Sequence, residues 1–240
     1  MKKKNNFKGN IKSIFFAILI ALIIRSFIVE PFNIPSGSMK PNLLVGDFIF
    51  VSKWSYGYSR HSLPFSINII PKKIFSKMPD RGDVVVFKTP QDNRTDYIKR
   101  VIGIPGDKIR MINGHIEING NLIFKKITEP FIDTDKNQMQ RKRKYVEFFY
   151  NKEIEVLDLR DDGPNTTDNT IYFIVPKDNL FVMGDNRDNS SDSRIIGFVP
   201  IKNLVGKAQF IFFSLENSRF FQIWKWPQAI RFNRLFQFIT

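Results

Sequence analysis

A single strongly apolar run, Ile14 to Ile24, stands near the start of this 240-residue chain and resumes at Phe27 to Val29 after Arg25 and Ser26. That length suits one tilted membrane-spanning helix, so the remainder has to fold beside a bilayer. Lys2, Lys3, Lys4, Lys8 and Lys12 precede the run, and no acidic residue occurs before Glu30. By the positive-inside rule the amino terminus is expected in the cytoplasm and the chain from Glu30 onward outside it. A cleavable leader would end in small residues, whereas this run ends Val29-Glu30-Pro31-Phe32, which predicts an uncleaved anchor. The chain is expected to divide into a basic cytoplasmic tail at 1–12, an anchor at 13–29, a β-rich domain at 30–218 with an insertion at 121–170, and a basic, aromatic tail at 219–240.

Beyond the anchor there is no helix-length amphipathic stretch until the end, and short β-rich runs alternate with Gly, Pro, Asn and Asp. The expected fold is therefore mostly β: one transmembrane helix followed by an all-β domain. Strands are predicted at Asp47 to Ser52, Asp83 to Lys88, Tyr97 to Ile104, Lys108 to Ile112, Ile171 to Val175, Asn179 to Met183 and Gly206 to Phe213. Asn113-Gly114 before His115-Ile116-Glu117-Ile118 predicts a hairpin. The insertion loosens into polar stretches, with a second hairpin expected at Asp161-Asp162-Gly163-Pro164.

The formal charge of +14 raises the possibility of nucleic acid, but Arg141-Lys142-Arg143-Lys144 is the one dense basic run outside the tails and no reading module surrounds it. Anionic lipid is the better partner for that run, and a solvated loop explains it equally well. The tail mixes Phe220, Phe221, Trp224, Trp226, Phe232, Phe236 and Phe238 with Arg219, Lys225, Arg231 and Arg234, so it either lies in the headgroup layer or packs back on the domain. Cysteine is absent, which removes disulfides, thiolate metal sites and a Cys nucleophile. With only His61 and His115, a multi-histidine zinc site cannot be assembled.

Three segments carry candidate chemistry. Ser38, in Ile34-Pro35-Ser36-Gly37-Ser38-Met39, sits within about 30 Å of extended chain from the end of the apolar run. A serine needs a base, and Lys99 is one if its strand hides the amine. Alternation puts Lys99 on one face with Tyr97 and Val101, and leaves Arg100 on the other to make ion pairs. The third segment, Gly184-Asp185-Asn186-Arg187-Asp188-Asn189-Ser190-Ser191-Asp192-Ser193-Arg194, is so polar that it has to satisfy itself or support a site. It fits a calcium loop poorly, because Arg187 interrupts the carboxylates and Ser193 stands where glycine is needed.

Together these segments resemble the bacterial type I signal peptidases, membrane-bound proteases with a Ser-Lys dyad. The likeness includes Pro35 to Met39, Arg81-Gly82-Asp83-Val84-Val85-Val86-Phe87, Tyr97 to Arg100 followed by Gly103-Ile104-Pro105-Gly106-Asp107, and Gly184 to Ser190 through Ser193-Arg194. The resemblance implies that Ser38 is the catalytic nucleophile and Lys99 the catalytic base. It also implies an oxyanion hole from the Ser36 hydroxyl and the Ser38 N–H, with support from Ser190, which would orient the lysine, from an Asp192–Arg194 salt bridge, and from Arg100 near that network. It implies no cofactor and no metal. The expected substrates are secretory preproteins with small residues before the cut, met at the outer, periplasmic face of the inner cell membrane. The phospholipid bilayer and the export translocon are the further expected partners, and nucleic acid is not one.

Rival readings are a penicillin-binding acyltransferase, a Ser-His-Asp hydrolase using His61 or His115, and a non-enzymatic anchored module. The first wants S-x-x-K and K-T-G, but Ser38 is followed by Met39, Lys40 and Pro41, and Lys88-Thr89 runs into Pro90. Phe32, Trp54 and Tyr56 are candidates to dip into lipid.

Overall fold

The computed structural model describes residues 7–63, 70, 73–134, 139–158, 167–216 and 222–239, with side chains from Ile11 onward and Lys225 excepted. The hairpin expected at Asp161 to Pro164, the first three lysines, and Arg219, Phe220 and Phe221 lie outside the described residues.

Helix α1 spans Phe7–Phe27. It is followed by β1 (Val29–Asn33), β2 (Asp47–Ser52), β3 (Val84–Lys88), β4 (Asp96–Gly103), β5 (Lys108–Ile112), β6 (His115–Ile118), β7 (Asn121–Leu122), β8 (Lys125–Ile127), β9 (Phe131–Asp133), β10 (Gln140–Lys142), β11 (Lys144–Phe149), β12 (Lys152–Leu157), β13 (Phe173–Ile174), β14 (Asn179–Met183), β15 (Val199–Pro200) and β16 (Leu204–Ser214). An antiparallel seven-stranded sheet runs β1-β2-β16-β3-β4-β14-β15. Register shifts occur along β16 against both of its neighbours, β3 on one side and β2 on the other, and such irregularities bend a strand.

The inward positions of β2, β3, β4 and β16 (Ile49, Val51, Val84, Val86, Ile98, Ala208 and Ile211) close over Met39 and Leu43, so the segment after Ser38 is anchored by apolar side chains. Smaller sheets, β13-β5-β6-β7 and β12-β11-β8, share a second core around Ile109, Ile116, Phe149, Ile154 and Phe181. Left-handed Asn113 and Gly114 (φ 48° and 74°) turn β5 into β6, and Asn119 and Gly120 (φ 52° and 84°) turn β6 into β7. These are the dipeptides that a two-residue hairpin requires.

Several expectations change. β1 pairs with β2 from Val29 onward, where the sequence reads as the end of an apolar run. The basic run is not a solvated loop: Arg141 and Lys142 lie in β10 and Lys144 opens β11, with Lys142 on Asp133 and Lys144 on Glu155, each at 2.6 Å. Tyr56 is buried and donates to Asp83 at 2.8 Å, so it does not reach lipid, whereas Trp54 is exposed. The tail packs back on the domain through bridges Phe210–Phe238 and Leu215–Ile230, yet leaves Trp224, Phe232, Phe236 and Phe238 exposed. Among the described residues no helix is long and apolar enough to cross a membrane.

Candidate active site

Ser38 leaves the sheet just after β1 and is held from behind by the polar segment that follows β14. Asn186 donates its backbone N–H to the Ser38 carbonyl at 3.0 Å and its side-chain amide to the Gly37 carbonyl at 2.9 Å. Gly184 makes the close approach possible. A Cβ there would stand 2.5 Å from the Ser38 carbonyl oxygen and 2.3 Å from Ser190 Oγ. Only a residue without a side chain fits.

Lys99, in the middle of β4, is 4% exposed and donates from Nζ to Ser38 Oγ at 2.8 Å and to the Ile98 carbonyl at 2.9 Å. Burial strips water from the ammonium and pulls its pKa from 10.5 down to about 8, against the upward pull of Asp192 and Asp185. Ser36 Oγ lies 3.5 Å from Ser38 Oγ. Proline, glycine and the two serines share a cleft of about 390 Å³ with Tyr97, Ile98 and Lys99.

Ser190 is brought to this place but not onto the lysine. Its buried hydroxyl has no hydrogen-bond partner among the described residues, and the lysine is aimed by Ile98 and Ser38 instead. Asp192 and Arg194 form a double hydrogen bond at 2.9 Å, and Asp192 also receives the Gly184 N–H at 3.0 Å. Arg100 is 1% exposed and belongs to a different pair: it meets Asp185 through two bonds of 2.7 Å and the Gly82 carbonyl at 2.8 Å.

Other supports were not singled out by sequence reasoning. Asp185 also accepts from Asn42 at 2.8 Å. Buried Arg187 forks onto Glu147 of β11, with one arm at 2.6 Å, and thus ties the polar segment to the insertion. The signal for Asp185 and Arg187 lay in the motif itself; Glu147 carried none. Neither histidine joins the site. His61 is buried in a short turn and burial lowers its pKa to about 4, while His115 begins β6. Among the described residues the carboxylates of Asp158, Asp168 and Asp188 gather within 4.8 Å of one another, but Lys125 sits on Asp158 at 2.6 Å and already supplies a cation there.

The family described as "Signal peptidase, peptidase S26" matches residues 7–213. A signal peptidase I of Rickettsia conorii is 40% identical over 92% of this chain and 89% of its own length, and one of Rickettsia typhi is 38% identical over 98% and 95%. A signal peptidase I structure from Enterococcus faecalis is 26% identical, covers 55% of this chain and 97% of that one, and has a TM-score of 0.33. On the family match and the Rickettsia relatives, this chain is an enzyme and belongs to the signal peptidase family, peptidase S26.

Proposed function

We propose that this chain is a membrane-anchored serine endopeptidase that removes signal peptides from exported preproteins, with Ser38 as nucleophile and Lys99 as general base. The observation that carries the reading is the 2.8 Å contact between the Ser38 hydroxyl and an amine buried enough to be partly neutral near physiological pH. Ser38 Oγ attacks the scissile carbonyl as Lys99 takes its proton. The resulting ammonium hands that proton to the departing amine, and Lys99, neutral again, then takes a proton from the water that opens the acyl-enzyme. The Ser36 hydroxyl and the Ser38 N–H face the developing oxyanion. Asp192 and Asp185 hold the lysine's surroundings without touching it.

The substrate approaches as an extended strand. β14 pairs with β4 only from Arg100 onward, so at Tyr97 and Ile98 the cleft side of β4 has no neighbouring strand among the described residues and is open to a peptide backbone. On this reading a preprotein enters that cleft with small residues before the cut.

The anchor reading rests on α1. Its 21 residues make a rod about 30 Å long, and Ile14, Phe15, Phe16, Ile18, Ile20, Ile23 and Ile24 are exposed around its circumference. Lys12 near one end and Arg25 near the other shorten the wholly apolar part; Arg25 reaches out to Glu30 at 2.7 Å, as an interfacial cation does. On this reading the helix, with the apolar residues that follow it to Val29, anchors the chain at the inner membrane as a single pass, amino terminus in the cytoplasm and the β domain on the periplasmic side, where preproteins leave the export translocon.

The test incubates detergent-solubilised chain with a preprotein and follows the mature-sized product. Ser38→Ala and Lys99→Ala are each expected to abolish it. Undiminished cleavage by either variant removes the dyad from the mechanism.

A further inference from the structure

A second cavity, which shares no lining residue with the Ser38 cleft, lies where the carboxyl end of α1 meets the domain. Tyr58 is the pin: its hydroxyl donates to the Phe27 carbonyl at 2.9 Å, its ring meets Phe27 at 5.6 Å, and its backbone bridges Ile74. Arg60 follows this pin by two residues and Lys73 immediately precedes its partner Ile74. Between them opens a cavity of about 260 Å³ lined by Arg60, His61, Ile70, Lys73, Lys202 and Asn203, with Ser59 at its edge. Arg60, Lys73 and Lys202 bring three cationic side chains to it, and among the described residues no carboxylate lines it.

These cations are poorly compensated. Partly buried Lys73 reaches the carbonyls of Ile201 and Leu204 at 3.2 and 3.5 Å and has no acidic partner among the described residues. The Arg60 guanidinium donates to His61 Nε2 at 3.3 Å, and Lys202 stands exposed at the rim. Nearby Lys53 and Arg25, by contrast, share Glu30. Asp178 lines only the adjoining cavity, which shares Lys73 and Lys202. Around the pin, Phe27, Ile28, Trp54, Ile74 and Phe75 are exposed. A charged hole beside an apolar collar matches an amphiphile better than a free ion.

We infer that this cavity binds the phosphate of an anionic phospholipid headgroup, with the acyl chains lying along α1 and the apolar collar. The inference deepens the anchored reading above and rests on it. Burial lowers Lys73 to about 8, and burial together with the charges of Arg60, Lys88 and Lys73 lowers His61 to about 4, as expected of a pocket short of negative charge. Inorganic phosphate shares the chemistry of the hole but gains nothing from the collar.

The full chain in neutral detergent is titrated by calorimetry with dihexanoyl phosphatidylglycerol, dihexanoyl phosphatidylcholine and inorganic phosphate. Saturable binding of phosphatidylglycerol is expected, with the other two at least ten-fold weaker. The double variant Arg60→Gln/Lys202→Gln, at the accessible side of the cavity, should weaken phosphatidylglycerol about thirty-fold while preprotein cleavage in lipid-free detergent stays within two-fold. No saturable binding, equal affinity in the variant, or inorganic phosphate matching phosphatidylglycerol would each overturn the site. Lys73→Gln, checked by a thermal melt for folding, should weaken binding further. Anchoring is read separately, as resistance of the chain to alkaline extraction from phosphatidylcholine vesicles; failure there sinks the anchor while the detergent titration still judges the cavity.

Discussion

Lys99 titrates near 8 in the folded chain and near 10.5 once unfolded, so the two states bind different numbers of protons between those values. Because the unfolded chain holds the extra proton there, stability climbs as pH rises from 8 to 10.5, and below 8 the whole penalty, roughly 3 kcal/mol, is present. Lys99→Met, similar in length and uncharged, is therefore expected to melt higher than wild type at pH 7 and to lose most of that advantage by pH 10.5, while cleaving nothing. Wild-type kcat/KM should rise with pH through about 8, as neutral amine appears; a profile flat from 6 to 10 would contradict a lysine base. Ser36→Ala should lower kcat about 100-fold with little change in KM, the signature of a donor used in the transition state, measured on a peptide substrate. Gly184→Ala should be inactive, because its Cβ would displace the Ser38 carbonyl; steady-state rates on a folded, melt-checked sample decide it. At this scale the motifs made Ser38 and Lys99 candidates, nucleophile and base, but not neighbours. They are 61 positions apart, and strand alternation could say only which face Lys99 takes; the resemblance implied that the two meet, as they do at 2.8 Å.

Strands with apolar alternation or continuous β-branched runs announced themselves, as Val84 to Phe87 and Asn179 to Met183 do, and so did turns whose backbone demands Asn-Gly. The insertion did not, for a physical reason. In β11 the inward positions are Tyr145, Glu147 and Phe149, and a carboxylate at the middle one breaks the pattern until its partner Arg187 is known. In β10 the three residues are all polar, and pairing to β9 is stabilised by Lys142 on Asp133. Glu147→Gln should thus unfold more easily by about 3–5 kcal/mol, because it strands a buried guanidinium, and should slow cleavage by loosening the segment behind Ser38. Glu147→Leu combined with Arg187→Met should recover much of the stability and less of the rate. Chemical denaturation of the three chains, read beside their turnover, separates the two effects.

The tail, ambiguous as sequence, is settled by Asp47. This fully buried carboxylate at the start of β2 accepts from Ser214 at 2.7 Å and from Arg234 at 2.6 Å, and Arg231 approaches at 3.5 Å. Aromatic richness suggested a surface role and four basic residues concealed a structural one; the partner of Arg234 lies 187 positions upstream, beyond any local pattern. Ending the chain after Glu216 should lower the melting temperature by roughly 10 °C, since Asp47 would keep a hydroxyl but lose both guanidinium groups. An unchanged melt would mean that the ion pairs contribute nothing.

The same arrangement sets an order on maturation. β16, from the last sixth of the chain, lies between β2 and β3 in the sheet, and residues up to Ile239 bond to it. A nascent polypeptide emerging from the ribosome can build hairpins as it goes, yet the two halves of its sheet have no seam until β16 has been made. The serine, in the turn that follows β1, and the lysine, on β4, belong to either side of that seam and are thus kept apart in the unfinished product. A copy without β16 is expected to have no working cleft, and proteolytic competence to begin only once that strand is in place.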